Sequence, residues 1–522
     1  MANRFSDILF QLIHSLEKAE KRHFKLYIKR SSGKEDLKIV QLFDAMDKLT
    51  EYDEKLLLKK LAGIEKPQLS NLKTHLYKQL LASLRLLKST DSIDLQLNEQ
   101  FDYAHILYKK GLFTQSLRIL EKAKETAHHH QKFNHLTQLL ALEKRIETLY
   151  ITRSNQSKVE SLVAEALEVS RHTGRIVQLS NLALQLNSWY VKNGHSRNNE
   201  DEAGIRIFFK ENLPEHAGEL TGFYEKLYLY QSYCIYSFIR QDFIMYYRYA
   251  QKWVDIFNED PFLIRVETGH YIKGMHNLMN AHFDLRNFQL FDHALAQFEQ
   301  FAKTDRVTQN DNFLVQTFIY INNARLNRHL MTGTFKEGFN MIPELFEKME
   351  VYAPLLDKHR ILVFNYKTAM LYFGSGDYST CIDYLQRIIN DNIDLRYDLQ
   401  CYARLLHLLS HYELKNYELM ETLTKSVYRF MSKMKNFTVV EEEMFRFLRY
   451  SFKISRVRMK PELQKFLDTV KHFEKNRFET RAFAYLDIIS WVESKLSDKT
   501  LAEVIHQKYL DRKRRNYPAL TK

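Results

Sequence analysis

Ala369-Met370-Leu371-Tyr372-Phe373-Gly374-Ser375-Gly376-Asp377-Tyr378-Ser379-Thr380-Cys381-Ile382-Asp383-Tyr384-Leu385 decides how this chain is read. Apolar residues run up to a glycine-containing polar turn, an aromatic residue follows it, and apolar residues then return at three- and four-residue spacing. That pattern is a helix, a tight turn and a second helix. Measured from Tyr378, the helices would touch through Ala369 nine residues earlier and through Cys381 and Ile388 three and ten residues later.

The same layout surrounds Phe113, Phe243, Phe288, Phe335 and Tyr417. Nine residues before the six aromatics stand Ala104, Cys234, Met279, Leu326, Ala369 and Leu408; ten after them stand Ala123, Trp253, Phe298, Leu345, Ile388 and Val427. All are apolar. From Phe243 onward the aromatics are 45, 47, 43 and 39 residues apart, and the 130 residues between Phe113 and Phe243 hold three such periods. A recurring hairpin explains this spacing, because each hairpin exposes an apolar face that only the next can cover.

Composition agrees. The 522 residues include 14 Gly and 7 Pro, where ordinary usage would supply roughly 37 and 26. Residues that break helices and make turns are scarce, so long helices joined tersely are expected throughout. Three cysteines, Cys234, Cys381 and Cys401, fall in helix interiors and read as small buried hydrophobes. The longest uncharged run near the middle, Leu227–Ile239, is 13 residues, short of the ~18 that span a bilayer. The amino terminus carries Asp7 within its apolar stretch and shows no signal-peptide pattern, so a cytoplasmic location without membrane insertion is the expectation.

The copies at Ala104–Leu120 and Ala369–Leu385 resemble the tetratricopeptide repeat, which places small residues where its paired helices touch and an aromatic after the turn. The departures are a period of 39 to 47 instead of the family's 34, and bulky Tyr246, Phe291 and Met420 where the family prefers alanine. The resemblance implies an all-α chain, a right-handed α-solenoid of about nine helical hairpins over 91–500. Residues 1–90 are read as a helical N-terminal cap and 501–522 as a basic, mobile C-terminal tail. Pro461 is placed at the first position of a helix.

No phosphate loop, nucleophile elbow, zinc-ligand pair or catalytic carboxylate pair has its required spacing, so neither an enzyme nor a bound cofactor or metal is expected. Adjacent His128, His129 and His130 point about 100° apart on a helix and cannot share one ion. His407 and His411 share a face but lack a third ligand.

The resemblance also implies a concave groove, and with it a protein or peptide ligand. Asn280 and Asn327 directly follow the small-residue position of adjacent hairpins, where an amide can donate to and accept from an extended backbone. Asn323, Arg325 and Arg328 are candidate helpers. Met370 and Leu409 occupy the equivalent position in the next copies, so no continuous asparagine ladder forms, and the family's carboxylate clamp is not reproduced.

The rival reading is a nucleic-acid-associated regulator with a solenoid as sensor or dimerisation arm. The chain carries +13 net charge, and residues 446–522 hold 19 Lys+Arg against 9 Asp+Glu. Arg446, Arg449, Lys453, Arg456 and Lys460 follow 3,4,3,4 spacing, a basic stripe along one helix face. A helix-turn-helix within 36–88 would turn Asn71, Lys73, Thr74 and Lys78 toward a major groove.

Overall fold

One turn, repeated, organises the helices. At each of six junctions a residue in the left-handed region ends a helix and an aromatic two residues later begins the next: Gly111 then Phe113, Gln131 then Phe133, Gln241 then Phe243, Arg286 then Phe288, Gly376 then Tyr378, and Lys415 then Tyr417. The residue between them reaches back five positions, as in Leu112 N–H to Leu107 C=O at 3.0 Å, Asp242 to Ser237 at 2.9 Å and Asp377 to Tyr372 at 3.0 Å. These are Schellman closures, which satisfy carbonyls that a helix end would leave without partners. Asp242 and Asp377 then cap the following helix through their side chains.

The computed structural model describes residues 7–30, 34–61, 65–89, 92–149, 156–220, 222–391, 396–434, 437–451, 454, 456–476, 478–479 and 486–516. Among them are 26 α-helices, with no strand. The chain divides into two compact units, 1–173 and 174–522.

In the first unit, α1 (Ile8–Ser15), α2 (Lys18–Lys29), α3 (Lys34–Asp47), α4 (Glu54–Lys60) and α5 (Lys66–Leu87) enclose a core centred on Phe10, Phe24 and Phe43. A second core joins α6 (Ile93–Lys109), α7 (Phe113–His129), α8 (Phe133–Leu149) and the start of α9 (Gln156–Asn193), around Ala104, Leu120 and Ile146.

The second unit continues through α10 (Asn199–Asn212), α11 (Phe223–Ile239), α12 (Phe243–Glu259), the short α13 (Phe262–Val266), α14 (Thr268–Asp284), α15 (Phe288–Phe301), the single-turn α16 (Asp305–Thr308) and α17 (Asp311–Thr332). There follow α18 (Ile342–Val351), α19 (Lys358–Ser375), α20 (Tyr378–Ile389), α21 (Tyr397–Glu413), α22 (Tyr417–Lys433), α23 (Val439–Ser451), α24 (Arg456–His472), α25 (Ile488–Leu496) and α26 (Leu501–Asn516). Successive pairs α11–α12, α14–α15, α19–α20 and α21–α22 pack together, and α14, α17 and α19 pack each on the next.

All twelve apolar positions flanking the six aromatics of the sequence pattern are buried, Trp253, Phe298 and Ala369 completely. Burying side chains the size of Phe contributes roughly 1.5–3 kcal/mol each, which fixes the register between paired helices. The three cysteines are buried free thiols.

Four features differ from the sequence expectation. Residues 91–500 hold 20 α-helices among the described residues, more than the 18 of nine hairpins, because short helices such as α13 and α16 interrupt the connections. Pro461 sits inside α24, where its ring removes the rung to the carbonyl four residues earlier. Arg446 and Arg449 of the expected basic stripe lie on α23, which ends at Ser451, and Lys460 lies on α24, which begins at Arg456, so these three are divided between two helices. Residues 501–516 of the expected tail form α26, which packs on α17 and α19, Val504 and Ile505 being buried.

Candidate functional site

Three packed helices of the second unit turn polar stripes toward one cavity of about 720 Å³. α14 contributes Lys273, His276, Asn280 and Asp284; α17 contributes Tyr320, Asn323, Asn327 and Leu330; α19 contributes Arg360, Val363, Lys367 and Met370. Each set is spaced by three or four residues, so each lies on one face of its helix. Tyr190 of α9, Tyr246 of α12, Arg286, Phe288 of α15, Arg396 ahead of α21, Glu474, Asp487, and Lys508, Tyr509 and Arg512 of α26 also line it.

The polar groups are tied together. Lys367 Nζ donates to Asn323 Oδ1 at 2.6 Å and also to Asn327 Oδ1. Asn280 Nδ2 donates to His276 Nε2 at 3.1 Å. The His276 ring stacks on Tyr320 with centroids 3.9 Å apart, and the Arg360 guanidinium lies 4.9 Å from the Tyr320 ring centre while donating to its hydroxyl at 3.3 Å.

Depth within the fold controls the ionisation of these groups, although they face the cavity. Burial pulls the Lys367 ammonium down to about 7, an effect that Asp284 opposes and Arg396 reinforces. Burial pushes the Asp284 carboxyl up to about 7 against the pull of Arg286 and Lys367. Lys273 is lowered by burial and by Arg360, and His276 is held well below the usual imidazole range by burial and by Arg360, Lys367 and Lys273. Asp284 Oδ2 has no hydrogen-bond partner among the described residues. Arg396, by contrast, is neutralised by a bidentate pair to Asp398, both bonds 2.8 Å.

α26 is fastened to this wall by residues far away in sequence. His506 Nδ1–H donates to Thr332 C=O at 2.9 Å, Tyr509 meets Phe288 edge-on at 4.7 Å, and Lys508 bonds Glu493 at 2.7 Å and Ser490 at 2.8 Å.

Asn280, Asn323 and Asn327 all line the cavity. Arg325 and Arg328 do not join them. They pair with Glu299 and Asp292 of α15, each at 2.7 Å and about half exposed, because a step of one or two residues from Asn327 rotates the side chain off the lining face. Of the stripe, Arg446 pairs with Glu443 at 2.7 Å, Arg449 lies over the Tyr428 ring, and Lys460 pairs with Asp498 at 2.7 Å. Lys453 and the side chain of Arg456 lie outside the described residues. In the first unit Lys73 is engaged by Asp7 and Tyr52, and His128 by Glu165 at 2.8 Å.

Sequence reasoning did not find Lys273, His276, Asp284, Arg286 or Lys367. A signal existed: Lys273, His276, Asn280 and Asp284 form a polar stripe at 3,4,4 spacing within a helix whose other faces carry Ile272, Met275, Leu278 and Met279. No protein-family profile matches this sequence, and no curated protein matches it. No helix among the described residues is long and apolar enough to cross a membrane.

Proposed function

We propose that this protein is a tetratricopeptide-like, right-handed α-solenoid that works without catalysis in the cytoplasm as a scaffold or adaptor, holding a protein or peptide ligand along its inner helices. One observation carries the reading: α14, α17 and α19, packed in sequence, turn Lys273, His276, Asn280, Asp284, Asn323, Asn327, Arg360 and Lys367 toward a common cavity while apolar residues of the same helices join the core. A preformed surface of this kind limits the ordering cost of capturing an extended ligand. The amides of Asn280 and Asn323 supply donors and acceptors that a main chain can use.

The test is capture from native lysate at moderate salt by three forms of the full chain: wild type, Asn280→Ala/Asn323→Ala on the cavity wall, and Arg325→Ala/Arg328→Ala on the other side. Nuclease treatment runs in parallel. The scaffold reading expects a protein partner that resists nuclease, is lost with the asparagine pair and is kept with the arginine pair. A catch that disappears with nuclease overturns it in favour of a nucleic-acid ligand.

A further inference from the structure

We infer that the cavity between α14, α17, α19 and α26 is a binding site for a small organic anion bearing phosphoryl or carboxylate groups. This goes beyond the scaffold reading and does not require it.

The charge around the cavity is unbalanced. Lys273, Arg286, Arg360, Lys367 and Arg512 face it, Arg360 paired at 3.4 Å with Asp357 outside the lining, against the carboxylates of Asp284, Asp487 and Glu474. Asp487 is already committed, accepting from the backbone N–H and the hydroxyl of Ser490 at the start of α25. Asp284 Oδ2 has no hydrogen-bond partner among the described residues, and near neutral pH its carboxyl and the Lys367 ammonium are each only partly ionised. Lys273 and Lys367 bond no carboxylate among the described residues, and the nearest like charges, Arg360 and Arg396, act against them.

The ammonium groups of Lys273 and Lys367, both lowered by burial, carry a desolvation cost that an anion would repay. An ammonium has three donors; Asn323 and Asn327 take two from Lys367, leaving one for a ligand. The planar donors of Arg286, Arg360 and Arg512 match the paired oxygens of a phosphoryl or carboxylate group.

Size and lining indicate a small molecule. A volume of about 720 Å³ falls in the ~300–1,000 Å³ range of small-molecule sites. Tyr246, Phe288, Tyr320 and Tyr509 offer ring surface for the ligand's uncharged body. α26 forms one wall, anchored to Thr332 through His506 and to Phe288 through Tyr509, so a segment distant in sequence from α14 and α19 contributes a donor.

Isothermal titration of the full chain with pyrophosphate, ribose 5-phosphate, ATP and citrate, at ionic strength held constant with NaCl, tests the site. At least one probe should saturate at one per chain. Lys367→Met and Arg512→Ala, which alter opposite walls, should each weaken it by about tenfold or more, with helix content unchanged by circular dichroism. Arg325→Ala/Arg328→Ala should bind as wild type does. The inference is overturned if no probe saturates, or if both cavity variants bind with wild-type affinity.

A Glu-rich decapeptide added to the loaded protein distinguishes two sources of the same chemistry. Displacement assigns the anionic group to a captured acidic segment and overturns the small-molecule ligand; failure to displace supports it. Partner capture from lysate can fail while the titration succeeds, so the two proposals stand or fall separately.

Discussion

His506 donates its Nδ1–H to the carbonyl oxygen of Thr332, 2.9 Å away and 174 residues earlier in the chain. Thr332 is the last residue of α17, and its carbonyl is among those a helix end leaves without an intrahelical donor. The next residue, Gly333, has φ +71°, and a Cβ there would lie 2.7 Å from Ala502 O and 2.8 Å from His506 N. Gly333→Ala therefore meets both left-handed strain, ~1–2 kcal/mol, and the backbone of α26. Hydrogen exchange should accelerate across 501–512 in this variant, while α21 and α22 keep wild-type protection. Unchanged protection of α26 would show that its docking does not depend on this approach.

Gly374 and Phe335 show the same economy inside the core. A Cβ on Gly374 would sit 2.5 Å from Cε2 and Cζ of the Phe335 ring, which is 3% exposed and cannot swing into solvent. Gly374→Ala should destabilise the protein by ~1–3 kcal/mol as an overpacking change. The double variant Gly374→Ala/Phe335→Leu should recover part of that loss in a denaturant melt. Equal stability of Gly374→Ala and wild type would contradict the packing described.

Much of the helical register was legible because it depends on local chemistry. The aromatics Phe113, Phe243, Phe288, Tyr378 and Tyr417 open helices, and the residues nine before and ten after them are buried, since an apolar period and a turn suffice to specify both. Phe133 opens α8 after the same turn, but Lys124 nine residues before it and Glu143 ten after it break the apolar pattern that marks the other copies. The cavity was legible only at Asn280, Asn323 and Asn327. Lys367 and Asp284 come together through the packing of α14 against α17 and α17 against α19, which no local pattern encodes. Arg325 and Arg328 were near in sequence but on the wrong face, and the docking of α26 is a contact between distant segments.

The repeated turn makes a prediction about a residue that does not suit it. Lys415 is exposed and holds φ +61° between α21 and α22, the position that Gly376 fills between α19 and α20. A side chain in the left-handed region costs ~1–2 kcal/mol that glycine avoids, offset in part by the greater chain entropy glycine loses on folding. Lys415→Gly should therefore stabilise the protein by about 0.5–1 kcal/mol. The check is the melting temperature at pH 7.5, with Lys415→Ala as the control that keeps a Cβ and should show no comparable rise.

Acid should loosen the second unit through its buried imidazoles. Burial holds His282, His359 and His407 at about 4, from an ordinary value of 6.5. Between those values the unfolded chain binds protons that the folded chain excludes, so stability is fully present above pH 6.5 and declines as pH falls toward 4. His282→Phe, beside the Tyr247 ring 5.1 Å away, and His407→Phe each remove one such group. Each should flatten the dependence of the denaturation midpoint on pH over this window and leave the slope above pH 7 unchanged. A slope identical to wild type between pH 4 and 6.5 would rule these histidines out as the cause.

The cavity itself should respond to pH around neutrality, and in the direction of tighter anion binding on acidification. As pH falls from 8 to 6, Lys367 moves through about 7 toward its ammonium form and Asp284, also near 7, loses its negative charge. Both changes make the site more positive. The groups lining the cavity with this pair are Lys273, His276 and Arg286 on and just beyond α14, Asn323 and Asn327 on α17, His359 and Arg360 on α19, Arg396 ahead of α21, Glu474 and Asp487 between α24 and α25, and Lys508 and Arg512 on α26. Among them His276 stays neutral, its imidazole held well below its ordinary value, and so does His359, held at about 4. Sulfate, dianionic throughout this range, is the suitable probe because phosphate would change its own charge near pH 6 to 7. Sulfate affinity at constant ionic strength should rise several-fold from pH 8 to pH 6 in the wild type, with a smaller rise in Asp284→Asn and in Lys367→Met. A dependence unaltered in both variants would place the titrating group elsewhere, since neither substitution leaves a proton to exchange at its own position.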